Sequence, residues 1–328
     1  MAVLTSTDKL TSLEVAKRSG FSPDSRHIIE ELNSYNELLL DAPVVEANEG
    51  TVDTHLVRTA IPHGEHRGYN EGVSSKASQS KTIKDVISNI EIYSTVDKQM
   101  VDEAPHPQEL MMSEQVAFME GLAQDMAADL VYGNHDQDPR YTNGLAVRRN
   151  KIGTYCIDMS EGDHSGDSDN AFTSIYIIKW GIDKARLIHP RGAANIGVQY
   201  HYLGEQTVKD SVGKEYQAYR AHYRISCGLS VGHAASIIRI ANINMNKING
   251  ADLAEKIVRV MPRLARGSGT VSIAMNAELK GIMNVAAINK TNIILQADDP
   301  WGHEILRIGA ARFRECPDIS INEARVNA

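Results

Sequence analysis

Residues 107–133 read PQELMMSEQVAFMEGLAQDMAADLVYG. Met112, Val116, Met119, Ala123, Met126 and Leu130 recur at alternating steps of four and three, and Glu114, Gln124, Asp125 and Asp129 occupy the opposite arc. That spacing predicts a long amphipathic helix. Pro107 suits its first turn because that turn has no use for the missing N–H, and Gly133-Asn134 can take the left-handed conformation that ends a helix. At 1.5 Å per residue the segment is roughly 35–40 Å long, the width of a small domain. It reads as a spine whose Met face packs on a sheet, with the acidic arc turned outward or toward a neighbour.

The segments on either side are less self-sufficient. Upstream, Ser6 or Thr7 caps a short helix through Leu13 and Ala16 that stops at Gly20, and Ser22-Pro23 opens a second carrying Ile28, Leu32, Tyr35 and Leu39 to Pro43. Neither is long enough to stand alone, so residues 1–50 form an arm that docks on the body or on another copy. Residues 51–62 and 78–97 are rich in Thr, Val and Ile and are joined by Gly-bearing turns, which predicts a long hairpin. Its outer half (Ser74, Ser75, Lys76, Ser78, Gln79, Ser80, Lys81) has no apolar face, and a two-stranded ribbon without one is marginal in water. Lying across another subunit would stabilise it.

Downstream, strand-like runs at Ser174–Trp180, Ala185–His189, Tyr216–Ser226 and Ile237–Ile243 are followed by two helices. Asn249 caps the first, with Leu253, Ile257, Val260 and Leu264 on one face and a kink at Pro262; Asn276 caps the second, with Leu279, Ile282, Met283 and Ala286. A final strand runs through Ile305, Leu306 and Ile308 to Phe313, broken at Gly309-Ala310. Strands and helices mixed in this way indicate an α+β fold.

The 328 residues are 42% hydrophobic and 23% charged, enough for a sizeable core in two domains with appendages. No signal peptide and no membrane span are read, which places synthesis in a cytoplasm. Cys156, Cys227 and Cys316 are odd in number and far apart, so they are read as reduced thiols and neither as disulfides nor as a paired-Cys zinc site. A net charge of −8 disfavours a dedicated nucleic-acid binder.

Candidate chemistry is sparse. His55, His63 and His66, with Glu65 between the last two, are the residues of a metal-assisted hydrolase reading, but their spacing is not that of the helical zinc-protease motif. The acidic loop from Ser160 to Asn170 alternates oxygen ligands with Gly166 at a calcium-loop sixth place, yet Phe172 stands where the bidentate Glu belongs. Arg266-Gly267-Ser268-Gly269-Thr270 lacks the Lys of a phosphate loop and follows a helix where such a loop precedes one. No Gly-x-Ser-x-Gly elbow occurs. Cys227 near His222 and His233 fits paired core positions on strands better than an activated thiol. No catalytic, cofactor-binding or metal residue is therefore assigned, and no cofactor. A chain with a core, an arm, a polar ribbon and no convergent cluster is built to contact copies of itself.

The order of these parts resembles the tailed-phage major capsid fold, the Hong Kong 97-type fold. The resemblance extends to wording: Val57-Arg58-Thr59-Ala60-Ile61-Pro62, Tyr69-Asn70-Glu71-Gly72-Val73, Ser94-Thr95-Val96-Asp97-Lys98, Ser113-Glu114-Gln115-Val116-Ala117-Phe118, Tyr132-Gly133-Asn134, Ile177-Ile178-Lys179-Trp180-Gly181, Ala218-Tyr219-Arg220 and Ile238-Arg239-Ile240-Ala241-Asn242-Ile243 are similar to major capsid proteins of epsilon-fifteen-type short-tailed phages. It runs from about residue 50 to the end and is weak in the arm. It implies an N-arm at 1–50, an E-loop at 51–82, a P-domain at 83–137 and 295–328, and an A-domain at 138–294. It also implies a structural protein with no enzymatic role, assembling as pentamers and hexamers of an icosahedral head around double-stranded DNA, with the E-loop over a neighbour. Expected partners are copies of itself, scaffolding, portal and decoration proteins, and packaged DNA by non-specific contact, with no membrane. Some members cross-link a Lys of this loop; Lys76, Lys81 and Lys84 are candidates by residue type only. A nanocompartment shell on the same fold, with cargo in place of a genome, is the other reading.

Overall fold

The computed structural model describes residues 37–160, 172–192, 199–289, 295–297 and 304–327. The expected arm helices before residue 37 and the acidic loop at 161–171 lie outside them; Glu37–Asp41 forms a single 3-10 turn. The chain divides into two units, one of residues 1–34, 89–127 and 194–226, the other of residues 35–88, 128–193 and 227–328.

In the larger unit, β6 (Phe172–Trp180) is the central strand, antiparallel to β10 (Ile237–Asn244) on one side and to β11 (Thr270–Met275) on the other. β5 (Cys156–Asp158) runs parallel to β10, and β14 (Ala311–Glu315) parallel to β11. β13 (Glu304–Ile308) closes a hairpin onto β14 through the turn at Gly309, and β12 (Leu295–Ala297) pairs with β13. The break expected at Gly309-Ala310 is this turn. Helices α4 (Gly250–Val260) and α5 (Ala277–Asn289) start where Asn249 and Asn276 cap them, each asparagine side chain accepting a backbone N–H two residues on. Pro262 does not kink α4; the helix ends at Val260, and Pro262 falls in a separate 3-10 turn, Met261–Arg263.

Ile175, Ile177, Ile240, Ile273, Phe313, Leu253, Ile257, Leu279 and Met283 form one buried cluster, so both helices cover one face of the sheet. The other face of β6 is buried too, which is why the strand reads as a nearly continuous apolar run. There Arg239 donates to Glu323 at 2.9 Å and to the Ser174 hydroxyl at 2.9 Å, while the Tyr132 hydroxyl donates to the other Glu323 oxygen at 2.6 Å. Burial, reinforced by the Glu323 charge, pushes the Tyr132 phenol well above its ordinary range. Asn242, at φ 58° in a β10 bulge, holds both the N–H and the carbonyl of Val326. The C-terminal segment is thus strapped to the sheet. Its strand β14 hydrogen-bonds β11, an element of the segment expected to be the A-domain, because Ala311 and Phe313 share the cluster with Ile273 and Met275.

The smaller unit holds most of β4 (Ser88–Asp97), α1 (Lys98–Asp102), the first part of α2 (Pro107–Tyr132), β8 (Gln199–Lys209) and the first part of β9 (Glu215–Val231). β8 and β9 form a hairpin turned at Gly213, and Val96, Val101 and Leu110 pack with Met111 and Tyr219. Phe118 of α2 stacks on Tyr223 at 5.4 Å.

The predicted spine helix is α2, with the expected bounds. Gly133 does not end it by a left-handed turn. A Cβ there would lie 2.5 Å from the carbonyl oxygens of both Asp129 and Thr142, and one at Gly144 would lie 2.7 Å from that of Val131. The two glycines let the returning chain touch the helix end, with Gly144 N–H donating to Gly133 at 2.9 Å.

Candidate assembly surface

The expected hairpin is present as β2 (Val52–Ala60) antiparallel to β3 (Gln79–Val86). At Ile87 the chain leaves it and continues as β4, so the second arm of the hairpin ends at Val86, eleven residues earlier than the run of β-branched residues suggests. Every residue from Arg58 to Thr82 is exposed. Among them Tyr69 is 102% exposed and Ile61 67%, and Leu56 just before them is 70% exposed. The connection is nonetheless ordered by its own polar groups. Lys76 pairs with Glu65 at 2.6 Å, Ser74 donates to the same carboxylate at 2.9 Å, and Arg67 Nε donates to the Glu71 carbonyl at 2.7 Å. The Lys76 and Ser74 hydrogen bonds hold the Glu65 carboxyl below its usual range. Asn70, at φ 64°, takes the left-handed backbone conformation within this connection.

The root of the ribbon is different. Asp53 and Asp85 stand directly opposite each other in the pairing register and are both buried. Arg186 of β7 (Ala185–His189) donates to Asp53 at 2.6 Å, and the Ser230 hydroxyl donates to it at 2.7 Å. Arg148 of α3 (Leu145–Arg148) donates to Asp85 at 2.7 Å and to the Leu229 carbonyl at 2.7 Å, and the Val231 N–H donates to the other Asp85 oxygen at 3.0 Å. Burial pushes the Asp53 carboxyl up, but the hydrogen bonds from Arg186 and Ser230 with the Arg186 and His55 charges outweigh it and leave the group below its ordinary value.

The histidines of the metal reading do not converge. His55 lies at the ribbon root, its Nε2 donating to the Val231 carbonyl at 3.0 Å, whereas His63 and His66 lie in the exposed connection. Among the described residues no group of three or more His, Cys, Asp or Glu side chains is placed to hold a metal. Cys227 is not an activated thiol: burial pushes it up to about 12, and its Sγ faces the Gly228 carbonyl. His222 instead stacks on Tyr93 at 4.5 Å and meets Glu91 at 3.1 Å, while His233 caps the turn at Ala234–Ser236. Gly267 and Gly269, weighed as part of a phosphate loop, lead into β11, and a Cβ at Gly269 would strike the Trp180 carbonyl.

The helix face corrects the sequence reading. Met126, Leu130 and Val131 are buried, as the periodic pattern requires, but Met112 is 67% and Val116 51% exposed, while Glu114 is buried. The first half of α2 therefore turns part of its apolar stripe to solvent. From Val101 to Tyr132 the chain carries no Lys or Arg, and Asp102, Glu103, Glu109 and Asp125 are exposed. From Thr54 to Lys84, by contrast, the ribbon has five Lys and Arg against two acids.

The exposed ribbon is thus basic and carries Leu56, Ile61 and Tyr69 uncovered, while the stretch around the start of α2 is acidic and carries Met112 and Val116 uncovered. Residues 22–327 match the family model for Major capsid protein GP7. The chain belongs to the major capsid protein GP7 family. Solved structures show the same fold. A chain of the near-atomic cryo-EM structure of bacteriophage Epsilon15 is 23% identical with a TM-score of 0.76, over 99% of this chain and 99% of that one. The capsid of bacteriophage JBD30 is 11% identical with a TM-score of 0.51, over 98% and 100%. A comparison with curated proteins returns no match. The architecture is thus the Hong Kong 97-type capsid fold, and this capsid protein has a structural role in a virion shell.

Proposed function

We propose that this major capsid protein closes an icosahedral head around double-stranded DNA as pentamers and hexamers, with residues 58–82 of one copy lying over the first half of α2 of another. One observation carries the contact: a ribbon wholly exposed along its outer half, with Leu56, Ile61 and Tyr69 uncovered, gains no apolar burial from its own subunit. Charge supports the start of α2 as its seat, since the exposed Asp102 and Glu103 just before it and Glu109 within it attract the basic ribbon where two like surfaces would repel. In this reading residues 1–50 are the N-arm, 51–82 the E-loop, 83–137 and 295–328 the P-domain and 138–294 the A-domain, with the strand at 311–315 hydrogen-bonded to β11 of the A-domain segment. The protein catalyses no reaction. It is made in the host cytoplasm and works with scaffolding, portal and decoration proteins, and it touches packaged DNA without sequence preference. Membership in a capsid family favours a genome over enzyme cargo as the content of the shell. Electron microscopy of the expressed protein is expected to show closed shells. A compact monomer at high concentration, with its ribbon protected from protease, overturns the reading.

A further inference from the structure

Asp53 and Asp85 face each other across the strand pair. Like charges directly opposite on an antiparallel pair destabilise it, so the ribbon carries at its root a pairing that opposes it when it is undocked. The conflict is resolved from outside the ribbon. Arg186 comes from β7 and Arg148 from α3, and the Ser230 hydroxyl and Val231 N–H of β9 complete the two carboxylates. A buried ion pair adds little net stability, because desolvation offsets most of the attraction, and a well-packed apolar pair often does as well. What charge-assisted hydrogen bonds supply and apolar contact lacks is direction.

We propose that the Asp53–Arg186 and Asp85–Arg148 pairs form a clamp that sets the angle at which the ribbon leaves the sheet, and that this angle determines whether the ribbon reaches a neighbouring copy in register. The inference rests on the ribbon being a contact between copies. At about 3.3 Å per residue, Asp53 to Ala60 is a lever of roughly 25 Å, and a tilt of about 10° at its root moves the far end by about 4 Å. Close-packed contacts do not tolerate a displacement of that size. The two arginines are thus positioning residues for assembly that touch no partner themselves.

The test compares the wild-type subunit with Asp53→Asn and with the paired apolar variant Asp53→Leu, Arg186→Met. Four readouts are taken: thermal unfolding, the distance distribution between spin labels at residues 80 and 151, amide hydrogen exchange at the ribbon root, and electron microscopy of assembly products. The single variant leaves Arg186 uncompensated and can lose stability; the paired variant removes both charges and keeps the test decisive. The paired variant is expected to unfold with the wild type, to show a broadened label distance, to exchange the amides of the ribbon root about a hundredfold faster, and to form few or misshapen shells. A distance distribution as narrow as the wild type's overturns the clamp and leaves the ribbon's part in assembly standing. So does a paired variant whose core unfolds early, because the pairs then serve stability. A broadened distribution with normal shells overturns the ribbon contact itself, and the clamp's role in assembly with it.

Discussion

The ribbon β2–β3 and the strand trio β10–β6–β11 are both antiparallel, and both were drawn from segments rich in Val, Ile and Thr, yet they hold their shape by opposite means. In the trio both faces are covered, and residues such as Ile177, Ile240 and Ile273 are fully buried. In the ribbon the apolar residues past Val57 face water, and order comes from a buried polar root and polar contacts within the connection. The difference separates two tasks. Burial makes the subunit, while the uncovered ribbon is the part that the proposed shell contact uses.

The comparison can be broken most directly in the trio. Ile177→Ala is expected to cost roughly 3–4 kcal/mol, the upper part of the range for emptying a fully buried Ile site, and to lower the urea midpoint of the subunit. A loss under about 1 kcal/mol, within the range of an ordinary surface change, would mean that the trio is not the stabilising core.

Next in size is the strap at the C-terminus. Removing Glu323 leaves Arg239 buried without its carboxylate, and Glu323→Ala is expected to cost about 3 kcal/mol. Protease cleavage within residues 318–327 should rise at the same time; cleavage unchanged alongside full stability would show that Asn242 and the backbone bonds of Glu323 to Phe172 and of Ile152 to Asn327 hold the strap without the Glu323 side chain.

A smaller effect follows from pH. Asp53 lies below its ordinary value in the folded subunit, so its contribution is complete above the unfolded value of about 3.9 and is lost as pH falls through the folded value. Docking of the ribbon root is expected to be constant from pH 7 to pH 5 and to loosen below about pH 4, read as protease access to residues 52–60. The same acid sensitivity in Asp53→Asn would assign it to another carboxylate.

The smallest effect on the subunit, and the largest on the shell, belongs to Tyr69→Ala. No change in unfolding is expected and a clear drop in shell yield, because an exposed aromatic that touches nothing in its own subunit is free to act as an anchor in a neighbour. A destabilised subunit with a normal yield reverses the reading of the ribbon.

Much of this fold is legible before any coordinates. The bounds of α2, the β2–β3 pairing, the caps at Asn249 and Asn276 and the turn at Gly309 follow from periodicity, turn residues and capping chemistry, which act locally. β8 is not legible because its Tyr, His and Gln residues alternate without a clean apolar face, and β11 because it is short and follows the loop-like Gly267 and Gly269 directly. The face of α2 was half right for an instructive reason. A periodic stripe identifies side chains suited to avoiding water, and the subunit alone covers Met126 and Leu130 of that stripe but not Met112 and Val116. The clamp was invisible, since its two carboxylates meet arginines that are distant in sequence.

One consequence of the ribbon concerns time. Both its strands have an unpaired edge among the described residues, and an exposed edge is a template for pairing with any passing chain while the newly made subunit waits. Arg58, Lys81 and Lys84 line those strands and repel a second ribbon brought alongside. In the proposed assembly the charges that would draw the ribbon toward an acidic helix also keep waiting subunits from joining edge to edge, so that correct assembly is favoured by what the ribbon refuses as well as by what it accepts.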